Sequence, residues 1–300
     1  MREIILVLGF LLTTLSIISS VFFHYPYWYS FYVIGAFLFF GSMNHARKSH
    51  TVFSYLMERK FRKFLIVYVF GVGMGLFVDV IYGRHIARLW YYPNLSGIWN
   101  FAIPIFIYYP FGGLQVYEIF YFIKSFLSKS ISSKNSFMIP KKIKMYLSIL
   151  LVLFMILGLI LPVINLLWNN NYGANELMVV IMALTIFSGD ALVYLFHGNS
   201  ILFEALEGNK LIIGTMIGAW IITTLLTEVP NTFSWEWIYY NIPFTTSEIL
   251  KINVVIFTMG WFFLVFAPVR FIDFVRLIFR LDDRVREKYN RGIPSGCGIS

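Results

Sequence analysis

A carboxylate inside a long apolar run costs about 3 kcal/mol or more to keep there, so each one is a candidate for chemistry. Asp190 lies in Phe187-Ser-Gly-Asp190-Ala191, and Glu118 follows the Pro110-Phe-Gly-Gly113 string. Both fall toward the same end of their runs. If they meet, they share a proton, because two close carboxylates resist double ionisation, and a shared proton serves a relay or a general acid. Asp190 and Glu118 are therefore the catalytic candidates. The competing reading for each is a hydrogen bond from a protonated carboxyl to a neighbouring helix backbone or tyrosine. Asp79 and Glu228 sit at the ends of two further apolar runs. Arg84 and Arg88 follow Asp79 and are four residues apart, so they share a face if that segment is helical. Two guanidinium forks there suit a phosphate or a lipid head group, with an Asp79–arginine ion pair as the alternative. Trp90 and Trp237 come after the two acids, which completes the substrate-binding candidates Asp79, Arg84, Arg88, Trp90, Glu228 and Trp237.

Other chemistries leave no trace. His45 and His50 belong to loops, and no H-E-x-x-H or cysteine cluster is present, so no metal site is predicted. Gly71-Val-Gly-Met-Gly75 lies inside an apolar run with no strand before it, so it is small-residue helix packing, as is Gly214 with Gly218. No nucleophile elbow or nucleotide loop occurs, and nothing calls for a cofactor. Cys297 is the single cysteine and cannot form an internal disulfide. Cys297-Gly-Ile-Ser300 has the outline of a prenylation box with glycine at an aliphatic position, and Asn94-Leu-Ser96 is a lone glycosylation sequon.

The elements that position these residues follow from composition. Hydrophobic residues make up 59% of the chain and charged residues 13%. A soluble domain has about a quarter charged residues, so the solvent for most of this chain is lipid. A helix crosses the hydrocarbon core with about 20 residues. Eight such spans are predicted, near Ile4–Phe23, Tyr27–Met43, Phe64–Tyr82, Ile98–Ile123, Met145–Trp168, Leu177–Phe196, Leu211–Val229 and Ile249–Val269. Pro104, Pro110 and Gly112-Gly113 interrupt the fourth, which predicts a kink or two half-spans. The fold class is all-α, a polytopic transmembrane bundle over residues 1–269. A basic amphipathic tail follows over 270–300, where Arg276, Arg280 and Arg284 form an i, i+4 stripe suited to an anionic leaflet.

Charge sets the orientation. With the N-terminus inside, the inner segments hold Arg2, six basic residues between Asn44 and Lys63, and six between Lys124 and Lys144. They also hold Lys210 and seven in the tail, which leaves only Arg84, Arg88 and Lys251 outside. Positive residues gather on the cytoplasmic side, so both termini are predicted to be cytoplasmic in a cell membrane. The first span has no small-residue cleavage site after it and reads as uncleaved. The net charge of +9 is spent on topology and lipid head groups. Membrane lipids are thus the expected partners, nucleic acid is not, and a hydrophobic or lipid-like ligand suits the 20% aromatic content.

The two halves carry parallel features. His45 and His197 each follow a span, then come Phe53-Ser-Tyr-Leu56 and Phe203-Glu-Ala-Leu206. A glycine-bearing span follows in each, ends in Asp79 or Glu228, and leads to Trp90-Tyr-Tyr-Pro93 or Trp237-Ile-Tyr-Tyr-Asn-Ile-Pro243. This predicts a parallel four-plus-four repeat over 1–127 and 145–269. A carboxylate near a span end, then Trp90-x-Tyr92, then the span bearing Pro104, resembles the layout of the polytopic lycopene-cyclase-type proteins of carotenoid pathways. The resemblance covers Asp79 to Pro104 and implies repeated short bundles and an isoprenoid substrate. That family places a paired glutamate after the proline, where this chain has Ile105-Phe106-Ile107. Three roles are compatible with the sequence. They are a membrane-embedded enzyme acting on a lipid or isoprenoid, a small-solute or lipid carrier using the interrupted span, and a non-catalytic subunit or scaffold whose basic face docks a partner.

Overall fold

In lipid every backbone N–H and C=O must be satisfied within the chain, so apolar runs of this length become helices. A computed structural model describes residues 2–86, 88–169, 184, 186–239, 248–249, 252–253 and 260–281. The helices are α1 (Arg2–Phe23), α2 (Trp28–Ala46), α3 (Val52–Met57), α4 (Phe61–Gly75) and α5 (Trp99–Ile103). They continue with α6 (Tyr109–Leu127), α7 (Lys141–Asn169), α8 (Ser188–His197), α9 (Ile201–Leu206), α10 (Lys210–Ser234) and α11 (Trp261–Ile278). The described chain is all-α apart from short ladders. Four helices are long and apolar enough to cross a membrane: Arg2–Phe23, Phe61–Ile86, Lys141–Leu161 and Lys210–Ser234. They coincide with the first, third, fifth and seventh predicted spans. Residues 177–183 and 185 of the sixth span and residues 250–251 and 254–259 of the eighth lie outside the described residues.

α2 and α6 form the centre of the bundle. Trp28, Tyr32, Phe37, Leu114, Tyr117, Ile119 and Phe120 are buried there, whereas α7 turns Leu150, Leu153 and Leu157 outward. Small residues set the closest approaches. A Cβ on Gly9 of α1 would lie 2.5 Å from the Phe39 backbone nitrogen, so only glycine lets α1 and α2 meet this closely. The two predicted glycine stripes both pack on α6. Gly71 and Gly75 of α4 meet Pro110 and Tyr109, while Gly214 and Gly218 of α10 meet Leu127 and Ile123.

Two helices are locally rewound. Leu76–Ile86 continues α4 as a π-helix, and Pro104–Tyr108 is a π-wound turn joining α5 to α6. Proline lacks the N–H that an α-helix needs, and the wider turn absorbs the mismatch at Pro104. The predicted break at Pro110–Gly113 is therefore not present: α6 runs continuously through it, with Pro110 in its first turn. α11 likewise runs through the predicted boundary between 269 and 270, and Arg270 and Arg276 point into the bundle rather than onto a leaflet. The rest of the predicted tail, beyond Leu281, lies outside the described residues.

At one end of the bundle, two strands form one antiparallel ladder, β1 (Trp90–Tyr91) and β2 (Ile238–Tyr239), in which Trp90 faces Tyr239 and Tyr91 faces Ile238. A second ladder pairs β3 (Glu248–Ile249) with β4 (Ile252–Asn253).

Candidate functional site

Asp79 is fully buried on the π-wound continuation of α4. A π-helix bonds residues five apart, which brings Arg84 round to the face of Asp79. The Arg84 Nη2 to Asp79 Oδ2 distance is 2.6 Å. The other carboxylate oxygen accepts from the Trp90 indole at 2.8 Å, the Tyr92 hydroxyl at 3.0 Å and the Tyr109 hydroxyl at 3.4 Å. Arg84 Nη1 is held in turn by the carbonyl and side-chain oxygens of Asn100, at 2.7 and 2.8 Å. The guanidinium also lies over the Tyr92 and Phe101 rings. Arg84 is thus committed to Asp79. Arg88 lies beyond the helix end, exposed and at a left-handed φ of 51°, so the two arginines do not share a helical face as predicted.

Glu228 is the corresponding acid on α10. Its Oε1 accepts from the Tyr239 hydroxyl at 2.7 Å and the Trp261 indole at 2.5 Å. Trp237 donates its indole N–H to the Tyr239 oxygen at 2.9 Å. Among the described residues no basic side chain pairs with Glu228. The two acids therefore differ in kind: one is held by a cation, the other by neutral donors.

A third acid joins them. α10 ends at Trp235, whose left-handed φ of 55° turns the chain back under the bundle. The next residue, Glu236, is 1% exposed. It accepts from the backbone N–H of Tyr29 at 3.0 Å and from the Tyr108 hydroxyl. Burial pushes its carboxyl up to about 8, against the bonds from Tyr108 and Tyr29 that favour the charged form. The space between the three acids is tiled by rings. Tyr29 packs edge-on to Trp237 at 4.9 Å and to Tyr108 at 5.1 Å, and Tyr108 packs on Tyr92 at 5.7 Å. A cleft of about 370 Å³ is lined by Tyr27, Asn94, Leu95, Ser96, Trp99 and Ile103, and Asn94 donates to the carbonyl of Trp235, the residue before Glu236, at 3.2 Å.

The structure thus gathers Asp79, Arg84, Trp90, Glu228 and Trp237 around Tyr29 and Tyr108. It does not bring Glu118 and Asp190 together. Glu118 is fully buried and accepts from Asn44 Nδ2 at 2.7 Å and the Phe53 N–H at 2.9 Å, at the start of α3. Asp190 accepts from the Ile201 and Leu202 N–H groups at 2.9 and 3.2 Å and from the Ser200 hydroxyl, at the start of α9. It also meets Arg270 Nε at 2.6 Å, and Arg270 bonds Asp273 at 2.8 Å. The two acids have no partner in common; each anchors a different short helix. Sequence reasoning missed Glu236, whose only signal is its place between Trp235 and Trp237 just after a span. Among the described residues no group of three or more His, Cys, Asp or Glu is placed to hold a metal. Compared with known proteins, the chain matches no family model, no curated protein and no solved structure.

Proposed function

We propose that this chain is a membrane-embedded enzyme that rearranges an isoprenoid or another unsaturated lipid by proton transfer at the outer acid cluster. The observation that carries this reading is Glu236, sealed between Tyr108 and Tyr29 with its carboxyl raised to about 8, so that it holds a proton at neutral pH. A positioned carboxylic acid protonates a carbon–carbon double bond, which becomes a carbocation as Glu236 becomes a carboxylate. Aromatic faces stabilise a cation, and the rings of Tyr29, Tyr108, Trp28 and Trp237 supply them. Loss of a neighbouring proton to a second carboxylate gives the isomer, and return of that proton to Glu236 restores both groups, with no oxidant or reductant required. Glu228, which lacks a cation, is assigned that second role; Asp79, fixed by Arg84, positions Trp90 and Tyr92. Unequal surroundings for neighbouring acids are what separate an acid from a base.

The eight-span arrangement with cytoplasmic termini and a parallel four-plus-four repeat belongs to the same reading. It is supported by Trp90-Tyr91 and Ile238-Tyr239, the two segments aligned by the repeat, which pair with each other across one ladder. The resemblance to lycopene-cyclase-type proteins agrees with the substrate class, with the acid supplied by Glu236 in place of the missing glutamate pair. The carrier reading rests on the parallel repeat and an interrupted fourth span, which is π-wound at Pro104–Tyr108 but α-helical through Pro110–Gly113.

The test is incubation of membranes from a bacterial host expressing the chain with unlabelled linear isoprenoids in deuterated water, with lipid extracts analysed by mass spectrometry. A product isomeric with its precursor and carrying one deuterium is expected, and Glu236→Gln should abolish it. An unchanged isoprenoid profile across linear precursors of several lengths would overturn the reading.

A further inference from the structure

The centre of the bundle holds polar atoms that no protein group satisfies. Gln115 of α6 is fully buried, and neither its Oε1 nor its Nε2 has a hydrogen-bond partner. Tyr32 of α2 is also fully buried. Its hydroxyl faces Thr227 and Gln115 yet completes a hydrogen bond with neither. The Thr227 hydroxyl is spent on the Thr223 carbonyl at 2.7 Å, and the Thr223 hydroxyl is itself buried and unpartnered.

Helix register brings these groups within about one turn of each other. α6 and α10 run antiparallel, Gly214 against Leu127 and Gly218 against Ile123, so a step up one helix is a step down the other. Carried two turns further, this register sets Gln115 opposite the stretch from Thr223 to Thr227. An amide can make four hydrogen bonds, and leaving all of them unmade at the depth of a lipid bilayer is costly. Water has two donors and two acceptors and suits a site with two to four polar partners.

We infer that Gln115, Tyr32 and Thr223 enclose an internal water site in the middle of the bundle. It lies between the acids at the two ends. Glu118 is one turn from Gln115 on the same helix, and Tyr108, the partner of Glu236, is two turns away in the other direction. The site stands independently of the isoprenoid reading.

Hydroxyl-radical footprinting in ¹⁸O-labelled water tests it. The full chain in lipid nanodiscs is exposed to a short X-ray pulse, and oxidation is mapped by mass spectrometry. Radicals form where water sits, so Tyr32 should take up ¹⁸O although it is buried, while Phe37, equally buried in an apolar setting, should not. Gln115→Leu should cut labelling of Tyr32 at least fivefold and leave Tyr117 unchanged. Should Gln115→Leu fail to fold, Thr223→Val removes one water partner without changing side-chain shape and should lower the labelling at least twofold. No labelling of Tyr32 in the wild-type chain, or labelling that neither variant reduces, overturns the water site.

Discussion

Trp90 and Tyr239 stand opposite each other in a two-residue antiparallel ladder, and each donates its side-chain hydrogen to the acid eleven residues before it, Asp79 and Glu228 respectively. Antiparallel pairing has a local two-fold axis, so two copies of one unit meeting at that axis pair their matching segments. The bonds from ladder to acid repeat on both sides of it. The two acids differ in electrostatics: Arg84, five residues after Asp79, pairs with it, whereas the residue five after Glu228 is the uncharged Phe233.

If the repeat is parallel, the chain crosses the membrane an even number of times. Reporter fusions at Lys134 and Asn170 should then read cytoplasmic and external. The same signal from both sites would reject the eight-span arrangement.

The Asp79–Arg84 pair is almost fully withdrawn from solvent, so removing one partner strands the other. Arg84→Met should destabilise the protein by about 3–5 kcal/mol, read as thermal unfolding in detergent. The double variant Asp79→Asn, Arg84→Met should recover most of that loss, because neither charge remains buried. A double variant as unstable as Arg84→Met would show that the arginine acts through Asn100 and the rings rather than through Asp79.

Much of this cluster was legible in the sequence, since Asp79 and Glu228 stand out as acids at the ends of apolar runs and Trp90 and Trp237 follow them, eleven and nine residues on. Glu236 was not. It lies past the end of a span, where an acid has no cost in a linear reading, and only the left-handed turn at Trp235 folds it inward. The pairing of Glu118 with Asp190 failed for a related reason. Periodicity gives the depth of a residue in the membrane but not its azimuth around the bundle, and the two acids at similar depth face different short helices. Of the interruptions predicted in the fourth span, the one at Pro104 coincides with the π-wound turn Pro104–Tyr108, whereas Pro110 sits in the first turn of α6, where its missing N–H costs no helical bond, so the helix runs on through Gly112-Gly113.

Asp190 receives two backbone N–H groups, the Ser200 hydroxyl and the Arg270 guanidinium, which points to an anchoring role. Asp190→Asn should lower unfolding stability by about 3 kcal/mol, since Arg270 loses one of its two carboxylates and keeps Asp273 and the Asn199 carbonyl. Product formation per folded molecule should stay within twofold of wild type. A fully stable Asp190→Asn protein without activity would return Asp190 to the catalytic set.

At the end of α10 away from Glu236, Glu207 fastens the loop between α6 and α7. It meets Lys144 at 2.5 Å and accepts from Asn135 and the Ile139 N–H, both at 2.7 Å. Burial works to raise its carboxyl, but these bonds outweigh it and hold the group below its ordinary value of 4.5. A depressed carboxyl contributes stability that is present above 4.5 and is lost as pH falls through the lower folded value. Limited proteolysis should therefore leave residues 128–140 intact at neutral pH and cut them in acid, and Glu207→Gln should be cut at neutral pH. Equal cutting of both proteins at pH 7 would remove Glu207 as the fastener.

Glu236 gives the opposite pH dependence. Its carboxyl is raised from 4.5 to about 8, so between those values the folded chain keeps a proton that the unfolded chain releases. Stability from this group is whole below about 4.5, declines as pH rises, and is fully lost above about 8. Unfolding temperature in detergent should accordingly fall from pH 5 to pH 8, and Glu236→Gln, which stays neutral throughout, should flatten that slope. Turnover that requires the protonated acid falls over the same alkaline limb, with its midpoint near 8. The two readouts separate structure from chemistry. A flattened stability slope in Glu236→Gln with turnover intact would leave Glu236 as a neutral tie between Tyr29 and Tyr108 and move the proton donor to Glu228. A loss of turnover together with the flattened slope places the transferred proton on Glu236.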